Sequence, residues 1–244
     1  MREQNQSSSQ DSSKNKDAYD VIVVGLGLAG ASAALQAAEA GAKVLVLERY
    51  SGGGTSAISA GVMYSGGGTR HQRAAGHSDT SENMYAYLKQ EVLGAVSDET
   101  LRRFCDSSVD NLDWLEKYGV RFGADECPFK TSYPPFRYCL YYSGNETEPP
   151  FNQLARPEPR GHIPLGTGQQ GGRIMKPLLQ ALSQKGVEVR LHTRVQSLHT
   201  DASGRVTGVN MSSLPARGFA VRLHAFLYWL SIFTRYMSMT FPVV

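Results

Sequence analysis

A glycine-rich segment near the start of the chain constrains the fold more than any other feature. Residues 25–30 read GLGLAG and fit the pattern G-x-G-x-x-G. They follow the β-branched run YDVIVV at 19–24, which predicts a buried strand. They precede an alanine-rich stretch to about Glu39, which predicts a helix ended by Gly41. Because KVLVL at 43–47 predicts a second buried strand, the segment indicates a right-handed βαβ unit.

The three glycines of this pattern have separate roles in such a unit. Gly25 permits the tight turn, Gly27 lets a pyrophosphate approach the backbone, and Gly30 lets the helix pack on the strand. Free N–H groups at the helix N-terminus attract phosphates. Glu48, at the end of the second strand, can accept hydrogen bonds from ribose hydroxyls and would repel a 2′-phosphate. The pattern predicts a dinucleotide site that disfavours NADP; the alternative is a βαβ unit with no ligand and a solvated Glu48.

The next glycine-rich segment favours FAD over NAD. Residues 52–61 read GGGTSAISAG, and GGGT recurs at 66–69. Such a segment can lie along pyrophosphate and ribityl groups and approach a flat ring closely. A flexible Gly/Ser linker is the alternative, but Ala57, Ile58 and Val62 are more apolar than a linker needs.

Further elements are predicted along the rest of the chain. DTSE at 79–82 resembles a capping box and predicts a helix to about Leu93. A second helix is predicted over 98–118, ended by Gly119, with one apolar face. That face consists of Leu101, Phe104, Cys105, Leu112 and Leu115.

The stretch from 128 to 164 holds eight of the 11 prolines and predicts loops and short strands rather than one helix. A helix is predicted over 172–185, ended by Gly186. Strands are then predicted at 187–191, 195–199 and 205–209, with a turn at 201–204.

Composition excludes several classes of protein. The net charge of +3 is too small to indicate nucleic-acid binding. Three cysteines exclude a disulfide scaffold and, with no secretory signal, indicate a reducing, cytoplasmic compartment. No His/Cys spacing suggests a metal site, including around His71 and His77. Residues 1–18 lack an apolar run and are predicted to be disordered.

Several segments together resemble the flavoproteins of the fumarate reductase and succinate dehydrogenase group, including 3-ketosteroid dehydrogenases. The resemblance covers about 19–213 and depends on residues 20–49, 52–61, RGHIP at 160–164, and 186–209. It implies an α/β fold: a Rossmann-like FAD-binding domain of the glutathione reductase type, with a parallel sheet flanked by helices. The domain would be incomplete and would carry part of an α+β cap region, a loop-rich insertion at about 125–165.

The resemblance also implies which residues contact FAD. The pyrophosphate and ribose would be bound by the first glycine turn and by the end of the second strand. Pyrophosphate and isoalloxazine would lie near the second glycine-rich segment, where Ala60 replaces the glycine usual in the family. Adenine would meet the backbone of Val195. The full set of expected cofactor-binding residues is Gly25, Gly27, Leu28, Ala29, Gly30, Glu48, Arg49, Gly54, Thr55, Ser56, Ala60, Gly61 and Val195.

Family enzymes transfer a hydride between flavin and a carbon of an activated bond in a small-molecule substrate. A tyrosine or histidine can move the accompanying proton, so Tyr138, Tyr142 and His162 are candidates. Tyr141 and Arg137 lie in the same stretch. For each of these side chains a purely structural role is the alternative.

Residues 214–244 differ in composition from the rest of the chain. They hold three arginines, no lysine or acid, and many aromatic residues. Their longest stretch without charge or histidine between the arginines, 225–234, is shorter than the ~20 residues that span a bilayer. Three interpretations are open: a segment foreign to the fold, a packed terminal helix, or an interfacial membrane helix. A helix would place Phe219, Leu223, Phe226, Leu230 and Phe233 on one face.

The family's second half, with most of its catalytic residues, would follow the strand at 205–209. Without it, sheet edges and one wall of the flavin site are uncovered. We therefore expect weak or no flavin retention and poor solubility from this chain. The competing functions are an FAD-dependent oxidoreductase or a fragment of one, a non-catalytic remnant without tight flavin binding, and a membrane-associated flavoprotein.

Overall fold

The structure of the chain is a computed structural model. The predicted disordered segment lies, except for Ala18, outside the described residues. The residues described are 18–135, 137–166, 168, 170–214, 218–219, 222–224 and 226–231.

The described residues form both helices and strands. In chain order the named elements are β1 Val21–Val24, α1 Leu28–Glu39, β2 Val44–Leu47, α2 Gly54–Ile58, β3 Met63–Tyr64, α3 Arg70–Ala74, α4 Ser81–Glu91, α5 Asp98–Asp106, α6 Ser108–Lys117, β4 Leu140–Tyr141, α7 Phe151–Leu154, β5 Gly161–His162, α8 Gln170–Gln184, β6 Glu188–Arg190, β7 Thr193–Thr200 and β8 Val206–Ser213.

A parallel three-stranded sheet lies at the centre of the fold, in the order β1-β2-β6. Val21 pairs with Val44, and Val46 pairs with Val189. The βαβ unit predicted from the glycine pattern is confirmed, with α1 as its crossover helix. All four residues of β2 are buried, whereas Val24 at the end of β1 is 57% exposed. Within the described residues β1 pairs with β2 alone, so one edge of the sheet is open.

One apolar cluster joins this sheet to its helices. It includes the side of α1 that faces the sheet, the inner face of α8, and residues of α6. The apolar stripes of these helices bury their side chains as their spacing predicts. The buried members are Leu26, Ala31, Ala34, Leu35, Val44, Val46, Leu112, Leu115, Val120, Phe122, Ile174, Met175, Leu178, Ala181 and Leu182.

Two smaller sheets complete the described fold. Strands β3, β5 and β4 form an antiparallel sheet in that order, close to a second apolar cluster between α4 and α5. Strands β7 and β8 form a hairpin whose turn lies where the sequence predicts it. Leu198, Val206 and Met211 on this hairpin are exposed.

The structure corrects two predictions about the helices. The single helix predicted over 98–118 is two helices, α5 and α6, separated at Ser107. Leu101, Cys105, Leu112 and Leu115 are buried as expected, whereas Phe104 is 39% exposed.

The second correction concerns the capping box predicted at 79–82. Thr80 is the N-cap of α4, and its side chain accepts a hydrogen bond from the Asn83 N–H. Asp79 is buried in a pair with Arg160 instead. A true capping box occurs earlier, where Thr69 and Gln72 cap α3 reciprocally.

Candidate cofactor-binding site

The first glycine turn has the close packing that the pattern predicts. Gly25 has a φ of +99°, which side-chain-bearing residues rarely adopt, and its N–H donates to the Leu47 carbonyl at 2.8 Å. A Cβ on Gly30 would lie 2.0 Å from the Gly25 carbonyl oxygen. Only glycine therefore lets α1 start directly against the end of β1.

The N-terminus of α1 keeps donors for an anion. The Leu28 N–H donates to Ser56 Oγ at 3.0 Å, and the first intrahelical bond runs from Ala31 N–H to the Gly27 carbonyl. Within the described residues the N–H groups of Ala29 and Gly30 have no protein acceptor. Two unpaired donors at the positive end of a 12-residue helix fit a phosphate group.

Glu48 has a structural role that the sequence does not reveal. It is 6% exposed. Its Oε2 accepts from the Leu26 N–H at 2.7 Å, and its Oε1 accepts from the Tyr50 N–H at 2.7 Å. The carboxylate thus holds the first glycine turn against the end of β2. Because a carboxylate has about four acceptor positions, it retains capacity for a ribose hydroxyl.

The second glycine-rich segment lies against the first. Gly52, Gly53 and Gly54 all have positive φ. The Gly53 N–H donates to the Leu26 carbonyl at 2.9 Å, and a Cβ on Gly54 would lie 3.5 Å from the Gly27 Cα. The segment is therefore packed into the fold rather than acting as a linker. We call residues 25–30 and 52–54, which pack against each other here, the cradle.

A cleft of about 290 Å³ continues from this cradle. Thr55 and Ala60 are exposed beside it, and Gly61 closes against α8, where a Cβ would lie 2.5 Å from the Gln170 carbonyl carbon. Arg49 is exposed, with its guanidinium over the Tyr50 ring. The cleft is lined by Leu28, Thr55, Ser56, Ser59, Gly61, Val62, Met63, Gly171, Ile174 and Met175.

The start of β7 joins the same region. The Thr193 N–H donates to the Glu48 carbonyl at 2.8 Å. Val195 is half-buried two residues further on and pairs with Met211. The structure thus brings the predicted turn, the acid and the second glycine segment together, with Val195 at the border of this group.

The candidate proton-transfer residues do not share one site. His162 is fully buried, with Nδ1 3.1 Å from the Arg160 carbonyl and Nε2 3.0 Å from Thr69 Oγ1. Burial lowers the pKa of His162 to about 4, so the ring is neutral at pH 7. Because a carbonyl only accepts, Nδ1 carries the proton and Nε2 accepts from the Thr69 hydroxyl. This geometry describes a structural histidine.

Tyr142 and Tyr138 lie in different surroundings. Tyr142 is half-buried, with its ring edge-on to His77. Burial, reinforced by the nearby Glu126 and Glu158, raises the pKa of Tyr142 to about 12. The Tyr138 hydroxyl accepts from Arg137. A phenol with a raised pKa stays protonated at neutral pH and is a weaker acid than an ordinary tyrosine.

A buried polar centre around Arg160 was missed by sequence reasoning. Arg160 and Asp79 are both fully buried and form a two-point ion pair, with Nε–Oδ2 at 2.8 Å and Nη2–Oδ1 at 2.9 Å. Gln72 donates to both Asp79 and the Pro159 carbonyl. Burial alone would raise the pKa of Asp79, but the hydrogen bond and charge of Arg160 outweigh it and lower that pKa. The centre joins α3, α4 and β5.

Other polar groups near this centre show no cation site. His71 lies 3.0 Å from Glu116 Oε1, and His77 lies between Glu126 and Glu158. No group of three or more potential metal ligands occurs within the described part of the chain. The cysteines at 105, 127 and 139 are free and buried.

The described part of the C-terminal segment is helical at 222–224 and 226–231. Phe219, Leu223, Phe226 and Leu230 of the predicted apolar face are exposed, and Phe233 lies outside the described residues. Among the residues that the structure describes, no helix has the length and apolar character to cross a membrane.

Comparison with known proteins identifies the family. A family profile described as "FAD binding domain" matches residues 20–226. The 3-oxo-5-alpha-steroid 4-dehydrogenase of Comamonas testosteroni is 49% identical over 205 residues, which are 82% of this chain and 38% of the relative.

Solved structures agree with this family. The 3-ketosteroid-Δ4-(5α)-dehydrogenase of Rhodococcus jostii, in complex with 4-androstene-3,17-dione, has a TM-score of 0.77 and 41% identity, covering 80% of this chain and 42% of that one. A flavocytochrome c3 fumarate reductase has a TM-score of 0.62 and 29% identity, covering 79% and 31%. The chain therefore spans about two fifths of the length of its steroid-dehydrogenase relatives.

Proposed function

The chain belongs to the FAD binding domain family, and from this premise we propose that it is the N-terminal part of an FAD-dependent oxidoreductase. The full enzyme would transfer a hydride between flavin and an activated C–C bond. The observation that carries the proposal is the cradle in which two unpaired N–H groups of α1 lie beside two close-packed glycine segments. Such a cradle suits a pyrophosphate.

The residues of this chain would hold FAD in an extended form, and the flavin would supply the hydride chemistry. The N–H groups of Ala29 and Gly30 would bind the pyrophosphate. Glu48 would accept from the adenosine ribose through its remaining lone pairs, and the backbone of Val195 would contact adenine. The other expected contacts, Gly25, Gly27, Leu28, Arg49, Gly54, Thr55, Ser56, Ala60 and Gly61, line or border the same cradle.

A 3-ketosteroid is the substrate class that we favour. The supporting observation is the 49% identity to an enzyme named for a 3-oxo-steroid, against 29% for the fumarate reductase structure. Tyr142 is the better candidate proton donor in this chain because the Tyr138 hydroxyl contacts Arg137 and both ring nitrogens of His162 are hydrogen-bonded. We propose a positioning role for His162 and no assigned role for Tyr138.

We further propose the domain organisation and location. The order β1-β2-β6, all parallel, supports a glutathione reductase-type domain over 19–213, with the loop-rich cap-like insertion at about 125–165. The segments 1–18 and 214–244 would lie outside this domain. Three free cysteines support the cytoplasm as its compartment.

Titration of FAD into the full chain tests the binding proposal. A Cβ on Gly27 would meet only Ser56 Oγ, at 3.3 Å, so Gly27→Ala should fold yet obstruct the phosphate. We expect this variant to weaken FAD binding by about tenfold, or about 1.4 kcal/mol. Gly208→Ala on β8, where a Cβ makes only a 3.9 Å contact, is the matched control and should bind as the wild type does. Equal binding by both variants would refute the cradle assignment.

The alternative is a non-catalytic remnant without tight flavin binding. The open edge of β1 and the exposed apolar residues of the β7–β8 hairpin favour it. Sequencing the transcript across the codons for Arg205 to Leu214 separates the two functions. A reading frame that continues for several hundred codons beyond Val244 supports the oxidoreductase, whereas a transcript that stops there supports the remnant.

A further inference from the structure

The C-terminal helical residues, 222–224 and 226–231, contact the chain at two points near the cradle. Ser51 Oγ donates to the Tyr228 hydroxyl at 3.1 Å. The ring of His224 meets the ring of His192 edge-on, with centroids 4.9 Å apart. His224 and Tyr228 are one helical turn apart, and their ring planes are parallel within 4°. The segment therefore presents two aligned aromatic rings at one position on the protein surface.

That position is the adenosine end of the cradle if the proposed function holds. Ser51 follows Glu48, the expected ribose ligand, by three residues. The His192 N–H donates to the Tyr50 carbonyl at 3.1 Å, and the next residue, Thr193, donates to the Glu48 carbonyl. Both contact points of the segment are thus tied by backbone hydrogen bonds to the chain that surrounds the ribose acid.

His192 is held in an uncommon backbone conformation at this point. Its φ is +50°, a region that residues other than glycine seldom adopt. Its carbonyl accepts from the Leu214 N–H at 3.1 Å. Its Nδ1 is buried and has no hydrogen-bond partner within the described residues. The backbone therefore holds the ring in place.

Tyr228 has the properties of a stacking surface. Its hydroxyl is anchored by Ser51, yet the residue is 44% exposed. An anchored ring loses little further conformational freedom when a ligand stacks on it. Purines stack well on such rings, and aromatic side chains use this contact to bind bases without sequence readout.

We propose that His192, His224 and Tyr228 form an aromatic platform for the adenine of the bound dinucleotide. This inference rests on the proposed function, because it takes the position of the adenosine from Glu48. Tyr228 lies two residues beyond the part of the chain that matches the family profile. Of the three rings, only that of Tyr228 therefore lies outside the residues that match the family profile. It also gives the aromatic C-terminal segment a role in cofactor binding.

The test is an equilibrium titration of the full chain with FAD and, in parallel, with ADP, which lacks the flavin. Tyr228→Ala should weaken both by about tenfold, the usual effect of removing one stacked aromatic. Tyr228→Phe retains the ring and loses the hydrogen bond from Ser51, so its affinity should lie between that of the wild type and that of Tyr228→Ala. Phe226→Ala, an exposed aromatic of the same helical segment, is the control and should bind as the wild type does.

A second readout separates stacking from a loss of folded protein. Adenine proton resonances of ADP should move upfield on binding to the wild type, because they enter the ring current of a stacked aromatic. The shift should shrink in Tyr228→Ala at equal saturation. Unchanged affinity and unchanged shift in that variant, while the wild type binds FAD, would overturn the platform and leave the proposed function standing. Tighter binding would show that the segment blocks the site. A wild type that binds neither ligand would overturn both proposals.

Discussion

The Arg160 centre and the glycine cradle are both built from loops beside short strands, but they differ in how much of their polar surface the chain itself satisfies. Arg160 and Asp79 are fully buried and joined by two hydrogen bonds. In the cradle, by contrast, the N–H groups of Ala29 and Gly30 lack acceptors, and one edge of β1 is unpaired, among the residues that the structure describes. The first region pairs both of its charges within this chain, and in it, among the described residues, only Arg160 Nη1 is buried without a hydrogen-bond partner. The second needs further atoms, which we assign to FAD and to the remaining length of the family fold.

The largest effect on stability should come from breaking the ion pair between Arg160 and Asp79. Arg160→Met leaves the Asp79 carboxylate buried without its partner, which should lower the free energy of unfolding by about 3–5 kcal/mol. Urea denaturation measures the change. Arg102→Met is the matched control because the ion pair of Arg102 with Glu82 is exposed, and it should cost less than about 1 kcal/mol. Equal losses of unfolding free energy in the two variants would mean that the buried ion pair stabilises the protein no more than the exposed one.

The same region should make stability depend on pH. The folded-state pKa of His162 is about 4, below its ordinary 6.5, so the unfolded chain binds more protons between these values. Stability is therefore fully present above pH 6.5 and falls on acidification toward pH 4, by about 3 kcal/mol. His162→Gln should flatten this part of the profile, whereas His199→Gln, at an exposed position on β7, should not. A slope that persists in His162→Gln would contradict the assignment.

The cradle should be sensitive to added atoms at one glycine. Gly30→Ala places a Cβ 2.0 Å from a backbone oxygen, and overpacking of this kind costs about 2 kcal/mol. Thermal unfolding should detect this loss together with a loss of FAD binding. Gly27→Ala should impair binding alone, since its neighbour is a side chain. A fully stable Gly30→Ala would show that the turn does not lie against α1.

A smaller effect is expected where the two glycine segments meet. Ser56→Ala leaves the Leu28 N–H without its acceptor and should destabilise the chain by about 1 kcal/mol. Ser78→Ala, at an exposed position, should change stability by less than about 0.5 kcal/mol. Differential scanning calorimetry measures the difference in stability between Ser56→Ala and Ser78→Ala. If bound FAD supplied the acceptor instead, the two variants would become equal when FAD is saturating.

The contrast also explains what the sequence could predict. The βαβ unit follows from local signals: β-branched runs, a helix between them, and glycines where backbones touch. The Arg160–Asp79 pair joins residues 81 positions apart, so no local sequence pattern predicts it. The motif at 79–82 indicates a helix cap instead. The break at Ser107 is equally hidden, because both helices carry apolar residues at helical spacing. Glu48 was predicted as a ligand, but its bonds to the Leu26 and Tyr50 N–H groups need the folded turn.

Flavin retention by the purified 244-residue chain tests the central claim most directly. The chain would be saturated with FAD at equilibrium, passed through a gel-filtration column, and its flavin-to-protein ratio measured by absorbance. A cradle that lacks one wall should bind FAD at equilibrium and lose it on the column. Stoichiometric FAD after the column would contradict the account, because the chain would then contain a complete site. Failure to bind at equilibrium would contradict it equally, because no cradle would be present.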